Sequence, residues 1–239
     1  MLHYPSIIRK IVFTNQFSLQ DLFETKGKIY TFLNPVSYLE AIKHQELFDG
    51  FDGIFTDGSI LVSAIQCLYG KTVMRRSFDM TSLAPLLFNF AAERGKTVYI
   101  VASREDEVNK AVMIFREKWP LLKIVEYRNG YFSSNEEIEK EICHIQELRP
   151  DFLIVGMGII MQETFLLKIK ETNVGCIGFT CGGFIHQTAH SEIQYYPDWI
   201  DRLNLRFLYR MYKEKHTRKR YIQAALLFPA RFIYERFFG

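Results

Sequence analysis

Four short apolar runs recur between residues 97 and 180: TVYIVAS (97–103), LKIVEYRNG (122–130), DFLIVGMG (151–158) and VGCIGFT (174–180). Stretches with helical spacing separate them: EDEVNKAVMIFREKW, ended by Pro120, then SNEEIEKEICHIQEL, begun at Ser134 or Asn135, and then MQETFLLKIKET. Short, mostly apolar runs of this kind, joined by helices of about 10–15 residues, predict βαβ units. The sheet is expected to be largely parallel and covered by helices on both faces, an α/β class.

The same reading extends upstream. TSLAPLLFNFAAERG (81–95) is a helix ending at Gly95. FDGIFTDGSILVSAIQCLYG is a strand, a tight turn at Asp57-Gly58, and a helix from Ser59 to about Tyr69 stopped by Gly70. KIYTFLN (28–34) is a strand ending at Asn34-Pro35, and VSYLEAIKHQELF (36–48) follows as a helix. Residues before 28 give no clear pattern. In parallel sheets ligands sit beyond the carboxyl ends of the strands. Gly130–Phe132, Gly156–Gln162 and Thr180–Gly183 are therefore expected along one cleft.

At 239 residues the chain has room for one full domain and a short appendage. With 48% hydrophobic and 24% charged residues, disordered, collagen-like and disulfide-scaffold classes are excluded. Cys67, Cys143, Cys176 and Cys181 are widely spread without CxxC, as expected for reduced thiols in a cytosolic protein. The N-terminus, MLHYPSIIRKIVFTNQ, lacks the apolar core and small-residue site of a signal peptide. No run approaches the ~18–20 apolar residues of a spanning helix.

Charge is distributed unevenly. Residues 202–239 hold ten basic residues against Glu214 and Glu235, a net +8, while the remaining 201 residues carry −5. Nine aromatics share that segment. Its first half, NLRFLYRMYKEKHTRKRY, fits a nucleic-acid-binding helix, a solvated face or a membrane-surface helix. The amphipathic continuation QAALLFPARFIYERFF favours an anionic membrane surface over nucleic acid. The expected division is a core over 1–201 and a basic, membrane-associating appendage over 202–239.

Several constellations could carry chemistry. Asp57, in an Asp-Gly turn after a strand, reads either as a turn-former or as an acid projecting into the cleft; Asp52, five residues earlier, competes for that role. GMGIIMQE (156–163) places two glycines between a buried strand and a helix, where backbone amides can approach phosphate oxygens. It is neither GxGxxG nor a Walker P-loop. Cys181, His186, His190 and Glu192 lie near one another in sequence. They lack HExxH or paired-cysteine spacing, so loop residues are the expected reading and no metal site is assigned. A Ser or Cys nucleophile has no supporting GxSxG.

Taken in order, these segments resemble the WecG/TagA/CpsF glycosyltransferases, glycosyltransferase family 26, over roughly residues 28–221. The family pattern runs T-x-N, a DG motif, R…D-L, Gly-Tyr-Phe, G-x-G-x-P-K-Q-E, a Gly-rich segment, E-W-L-Y-R and a basic R…R-Y. The corresponding segments here are FLN (32–34), TDGSILVSA (56–64), RRSFDM (75–80) and NGYF (129–132). GMGIIMQE (156–163), TCGGFIHQTA (180–189), RFLYR (206–210) and TRKRY (217–221) follow. Phe32 stands where the family often has Thr, with Thr31 adjacent. Ile160-Met161 replaces Pro-Lys, the Asp usual after the Gly-rich segment is missing, and Arg206-Phe207 replaces Glu-Trp.

The resemblance implies a Rossmann-like core of the GT-E type, distinct from GT-A and GT-B, with a helical C-terminal appendage that docks on the membrane. It implies inverting, metal-independent transfer from a UDP-sugar to a lipid-diphosphate-linked saccharide in bacterial surface-polysaccharide synthesis. The sugar would be N-acetylmannosamine or a related hexose or uronic acid. Asp57 would be the general base, and Arg76 and Arg210 would stabilise the leaving diphosphate. Thr31, Asn34, Arg75, Tyr131, Gly156, Gly158, Gln162, Glu163, Gly182, Gly183, Arg218 and Arg220 would bind substrate. No cofactor and no nucleic acid are expected. The enzyme would sit in the cytoplasm against the inner face of the membrane, with a homo-oligomer possible. A non-catalytic nucleotide- or sugar-binding α/β protein is the alternative, followed by a nucleic-acid-binding module using the basic tail.

Overall fold

The computed structural model describes residues 4–191, 200, 206–213 and 218–238, without the side chains of 191, 206, 207 and 210. Its centre is a six-stranded sheet in the order β2-β1-β6-β5-β3-β4. The strands are β1 (Ile29–Leu33), β2 (Gly53–Thr56), β3 (Thr97–Ala102), β4 (Lys123–Arg128), β5 (Phe152–Gly156) and β6 (Ile177–Thr180). Every pairing is parallel. All six carboxyl ends therefore open on the same edge.

The two-residue period of the strands divides the core. Val98, Ile100 and Ala102 of β3 and Phe152 and Ile154 of β5 face one side. There they meet α6 (Leu83–Glu93), α7 (Glu105–Lys118) and α10 (Phe184–Ser191). Tyr99, Val101, Leu153 and Val155 face the other, against α8 (Asn135–Leu148) and α9 (Met161–Glu171). A third cluster joins Leu33 and Ile54 to α1 (Ser6–Thr14), α3 (Pro35–Ala41) and α5 (Ser59–Tyr69).

Several elements depart from the sequence reading. Residues 36–48 are not one helix. α3 ends at Ala41, and α4 (Gln45–Asp49) begins after a short turn. The segment before residue 28 contains α1 and α2 (Leu19–Glu24), the latter closed by a capping box between Ser18 and Asp21. His186 and His190 lie on α10, not in a loop.

Among its described residues the basic C-terminal stretch forms two helices, Arg206–Lys213 and Arg218–Phe238. Pro229 does not interrupt the second, which runs through it. Phe228 and Phe232, part of the amphipathic continuation expected to meet a membrane, are buried. They pack against Tyr38 of α3, and Phe232 also meets Tyr69 of α5. The opposite face leaves Ile222, Leu226, Ile233, Phe237 and Phe238 exposed. Among the described residues no helix is long and apolar enough to cross a membrane. The proposed boundary at residue 201 lies outside the described residues.

Candidate active site

A cleft of about 1030 Å³ lies over the carboxyl edge of the sheet. It spans the point where β3 and β5 lie side by side while their connections lead in opposite directions, a topological switch point. Helices α3, α5, α7, α9 and α10 each start within a few residues of a strand's carboxyl end. Their amino termini bring partial positive charge to this edge, an environment suited to phosphate.

Asp57 lines the cleft immediately after β2. Its backbone amide donates to the Leu33 carbonyl at 2.8 Å, fixing the turn to the neighbouring strand. Gly58 takes φ +116°, a region where a side chain is strained, so the glycine allows the chain to turn directly after the acid. Asp52 is at the other end of β2. It accepts from Lys28 and the Ile29 amide and pairs with Lys170, a structural lock remote from the cleft.

Asn34 lines the cleft at the end of β1 and caps α3. Its Oδ1 accepts from Val36 and Ser37 amides at 2.9 and 3.1 Å, leaving the Nδ2 end to meet a ligand. Phe32, two residues earlier, also lines the cleft and stacks on Phe55.

Thr31 and Glu163 lie beneath the cleft and do not line it. Glu163 is fully buried. Its Oε1 accepts from Thr31 Oγ1 and Gln162 Nε2, both at 2.9 Å, and its Oε2 accepts from the Ile160 amide at 2.6 Å. Burial pushes its carboxyl above the ordinary range, against the pull of these donors. The arrangement holds two things in place. One is Ile160, a β-branched residue at φ +75°, a conformation that costs about 1–3 kcal/mol. The other is Gln162, which lines the cleft and accepts from the Gly182 amide at 3.3 Å. Removing the hub in Glu163→Ala takes the acceptor from Gln162 Nε2 and the Ile160 amide, while Thr31 Oγ1 keeps Thr180 Oγ1 at 2.9 Å. We expect a loss of about 2–4 kcal/mol in urea unfolding; an unchanged midpoint would mean the hub is not structural.

Gly156, Gly158, Gly182 and Gly183 line the cleft together with Tyr131. A Cβ at Gly156 would come within 2.7 Å of Cys181 Sγ and 2.9 Å of the Gly182 carbonyl, so only glycine lets the β5 and β6 turns close together.

Of the two adjacent arginines, Arg75 lines the cleft, steadied by Ser77 at 3.3 Å and Asp79 at 4.0 Å. Arg76 does not line it. Its guanidinium lies over the Phe55 ring at 5.6 Å, with Nη1 buried and unpartnered among the described residues. Burial lowers its pKa. Arg220 and Tyr221 of the C-terminal helix line the opposite rim. Arg218 does not; its Nε donates to the Met211 carbonyl at 2.7 Å. Arg210 lies on the Arg206–Lys213 helix, and its side chain lies outside the described residues, as does Glu192.

One part of the cleft was not read from the sequence. Ser103, Arg104 and Glu107 follow β3, and His186 and His190 of α10 face them. The strand-end rule that located Gly130, Gly156 and Thr180 applies equally to TVYIVAS, so the signal was present. Burial works to raise the Glu107 carboxyl, but donors from Ser103, His186 and the Arg104 amide bring it below the usual range. His186 Nδ1 is 2.7 Å from Glu107 Oε1. Glu107, His186 and His190 each place one ligand atom within 4.8 Å of the others, a spacing that could hold a metal ion.

A sequence model of the "Glycosyl transferase WecG/TagA/CpsF family" matches residues 14–239. A UDP-Gal:alpha-D-GlcNAc-diphosphoundecaprenol beta-1,4-galactosyltransferase of Shigella boydii is 37% identical over 207 residues, 87% of this chain and 86% of the relative. An N-acetylglucosaminyldiphosphoundecaprenol N-acetyl-beta-D-mannosaminyltransferase of Bacillus subtilis (strain 168) is 24% identical over 188 residues, 77% of this chain and 71% of the relative. A protein of the same description from Staphylococcus aureus (strain NCTC 8325 / PS 47) is 23% identical over 204 residues, covering 84% and 75%.

Proposed function

The chain belongs to the WecG/TagA/CpsF glycosyltransferase family, and we propose that it transfers a hexose from a UDP-sugar to N-acetylglucosamine carried on a lipid diphosphate. The observation that carries this reading is a single cleft that brings a carboxylate, Asp57, together with glycine-rich turns, helix amino termini, Arg75 and Arg220. Galactose is the proposed donor sugar, because the galactosyltransferase relative is 37% identical and the mannosaminyltransferases 23–24%. N-acetylmannosamine is the second reading.

The acceptor hydroxyl gives its proton to the Asp57 carboxylate as its oxygen attacks C1 of the donor. The C1–O bond to UDP breaks on the opposite face, its electron pair passing to the diphosphate, and the anomeric centre inverts. Arg75 and Arg220, which line the cleft, would offset that charge, since guanidinium groups bind phosphate oxygens in a bidentate fashion. Amides at Gly156–Gly158 and Gly182–Gly183 would cradle phosphate or sugar oxygens, with Gln162, Asn34 and Tyr131 orienting the sugars. The exposed apolar face of the C-terminal helix, with its surrounding arginines, would rest on an anionic membrane and bring the lipid-linked acceptor to the cleft.

UDP release across a panel of UDP-sugars, with a synthetic N-acetylglucosaminyl diphosphate lipid as acceptor, tests the donor. UDP-galactose is expected to give the fastest release. A lead for UDP-N-acetylmannosamine would move the donor to the second reading, and release from no UDP-sugar would remove the transferase reading.

Metal is not required in this mechanism. Both oxygens of Glu107 are engaged by Ser103, His186 and the Arg104 amide, and the arginines supply positive charge. Turnover is expected to survive EDTA within about twofold. Loss on chelation that a divalent cation restores would make Glu107, His186 and His190 a functional metal site.

A further inference from the structure

Beside the reaction cleft runs a second groove of about 860 Å³. One wall is α3 and the residue that ends it, through Leu39 and Ile42; the other is the C-terminal helix, through Leu227 and Ala230. Ile160, held in its left-handed conformation, also lines it. The surface is largely apolar, and three of its four charged side chains are ion-paired, Lys43 with Glu40 and Arg231 with Glu235. Ile159, Arg220 and Ala224 line both this groove and the reaction cleft, so the two spaces meet at Arg220.

An apolar trough that opens beside a guanidinium, at the edge of a cleft suited to diphosphate, fits a ligand with a diphosphate head and a branched hydrocarbon tail. We propose that the groove binds the first isoprenoid units of the lipid-diphosphate acceptor, with Arg220 holding the diphosphate where groove and cleft join. This rests on the acceptor class proposed above and adds where its lipid lies. The outward face of the same helix, with Ile222, Leu226 and Phe237, is exposed and lies outside the groove. The helix therefore has one apolar face for the bilayer and another for the lipid drawn out of it. The length of isoprenoid that the groove admits sets how far the reacting sugar stands from the membrane.

Binding of farnesyl diphosphate and of inorganic diphosphate to the full-length protein, without detergent or vesicles, tests this by calorimetry. Farnesyl diphosphate is expected to bind at least about tenfold more tightly, from burial of its apolar chain. Ala230→Trp, which fills the groove at an exposed position, should remove that ratio. Leu227→Gln, which makes the wall polar, should reduce it several-fold. Leu226→Ser, on the outward face, should preserve it. Equal affinities for the two probes in the wild type would overturn the proposal. So would a ratio that survives Ala230→Trp and Leu227→Gln, or one that Leu226→Ser removes. Turnover is read separately: groove-dependent farnesyl binding with no transfer from any UDP-sugar would overturn the transferase reading and keep the groove.

Discussion

Replacing Asp57 with asparagine is expected to lower kcat by about 10²–10⁴-fold, the usual contribution of a positioned general base. The change is nearly isosteric, and two features that shape the turn lie in the backbone. The Asp57 amide still donates to the Leu33 carbonyl, and Gly58 still supplies the positive φ. Thermal unfolding should therefore move little, and affinity for UDP should be retained, because Arg75, Arg220 and the glycine turns are untouched. Asparagine cannot take the acceptor's proton, so the loss should fall on kcat rather than on donor binding. Turnover near wild type in a folded Asp57→Asn protein would remove Asp57 as the base. Asp52 would not replace it, since it is committed to Lys28 and Lys170 at the far end of β2.

The second large effect is expected at Phe232, on a helix whose sequence looks like a membrane tail. Its ring is almost completely buried, 5.2 Å from Tyr38, 5.6 Å from Tyr69 and 5.0 Å from Phe228 between centroids. Phe232→Ala should cost about 3–5 kcal/mol in urea unfolding, from lost burial and the cavity left behind. Turnover of a soluble acceptor should fall as well, because Arg220 and Tyr221 belong to the same helix and line the cleft. A purely membrane-anchoring helix would show neither effect with a soluble acceptor. Unchanged stability with normal soluble turnover would mean that the helix does not dock as described.

The parallel sheet was legible because each strand carries its own evidence. A run such as DFLIVG, buried on both faces, has few other places to go, and Ser134 and Gly70 mark helix ends by local chemistry. Asp57, Gly156 and Gln162 were legible for the related reason that strand ends in such sheets face the ligand. Residues 36–48 were misread as one helix because the apolar pattern continues through the turn at Ile42–His44. Thr31 and Glu163 could not be distinguished from lining residues by sequence. Only the fold brings positions 132 residues apart within 2.9 Å and places them under the cleft floor. The same limit applied to Arg75 and Arg76, where adjacent guanidinium groups take opposite environments. In the C-terminal helix the apolar residues serve two surfaces. Composition identified an amphipathic segment, but which phenylalanines enter the core depended on Tyr38 and Tyr69, far away in the chain.

The central claim, single displacement in this cleft, is tested most directly by the anomeric configuration of the product. Purified protein, UDP-galactose and a synthetic N-acetylglucosaminyl diphosphate lipid would be incubated and the new linkage read by proton NMR. A β-linked hexose is expected from the α-configured donor, in amounts matching the UDP released. An α-linked product would contradict that claim, as would UDP release without a new glycosidic bond.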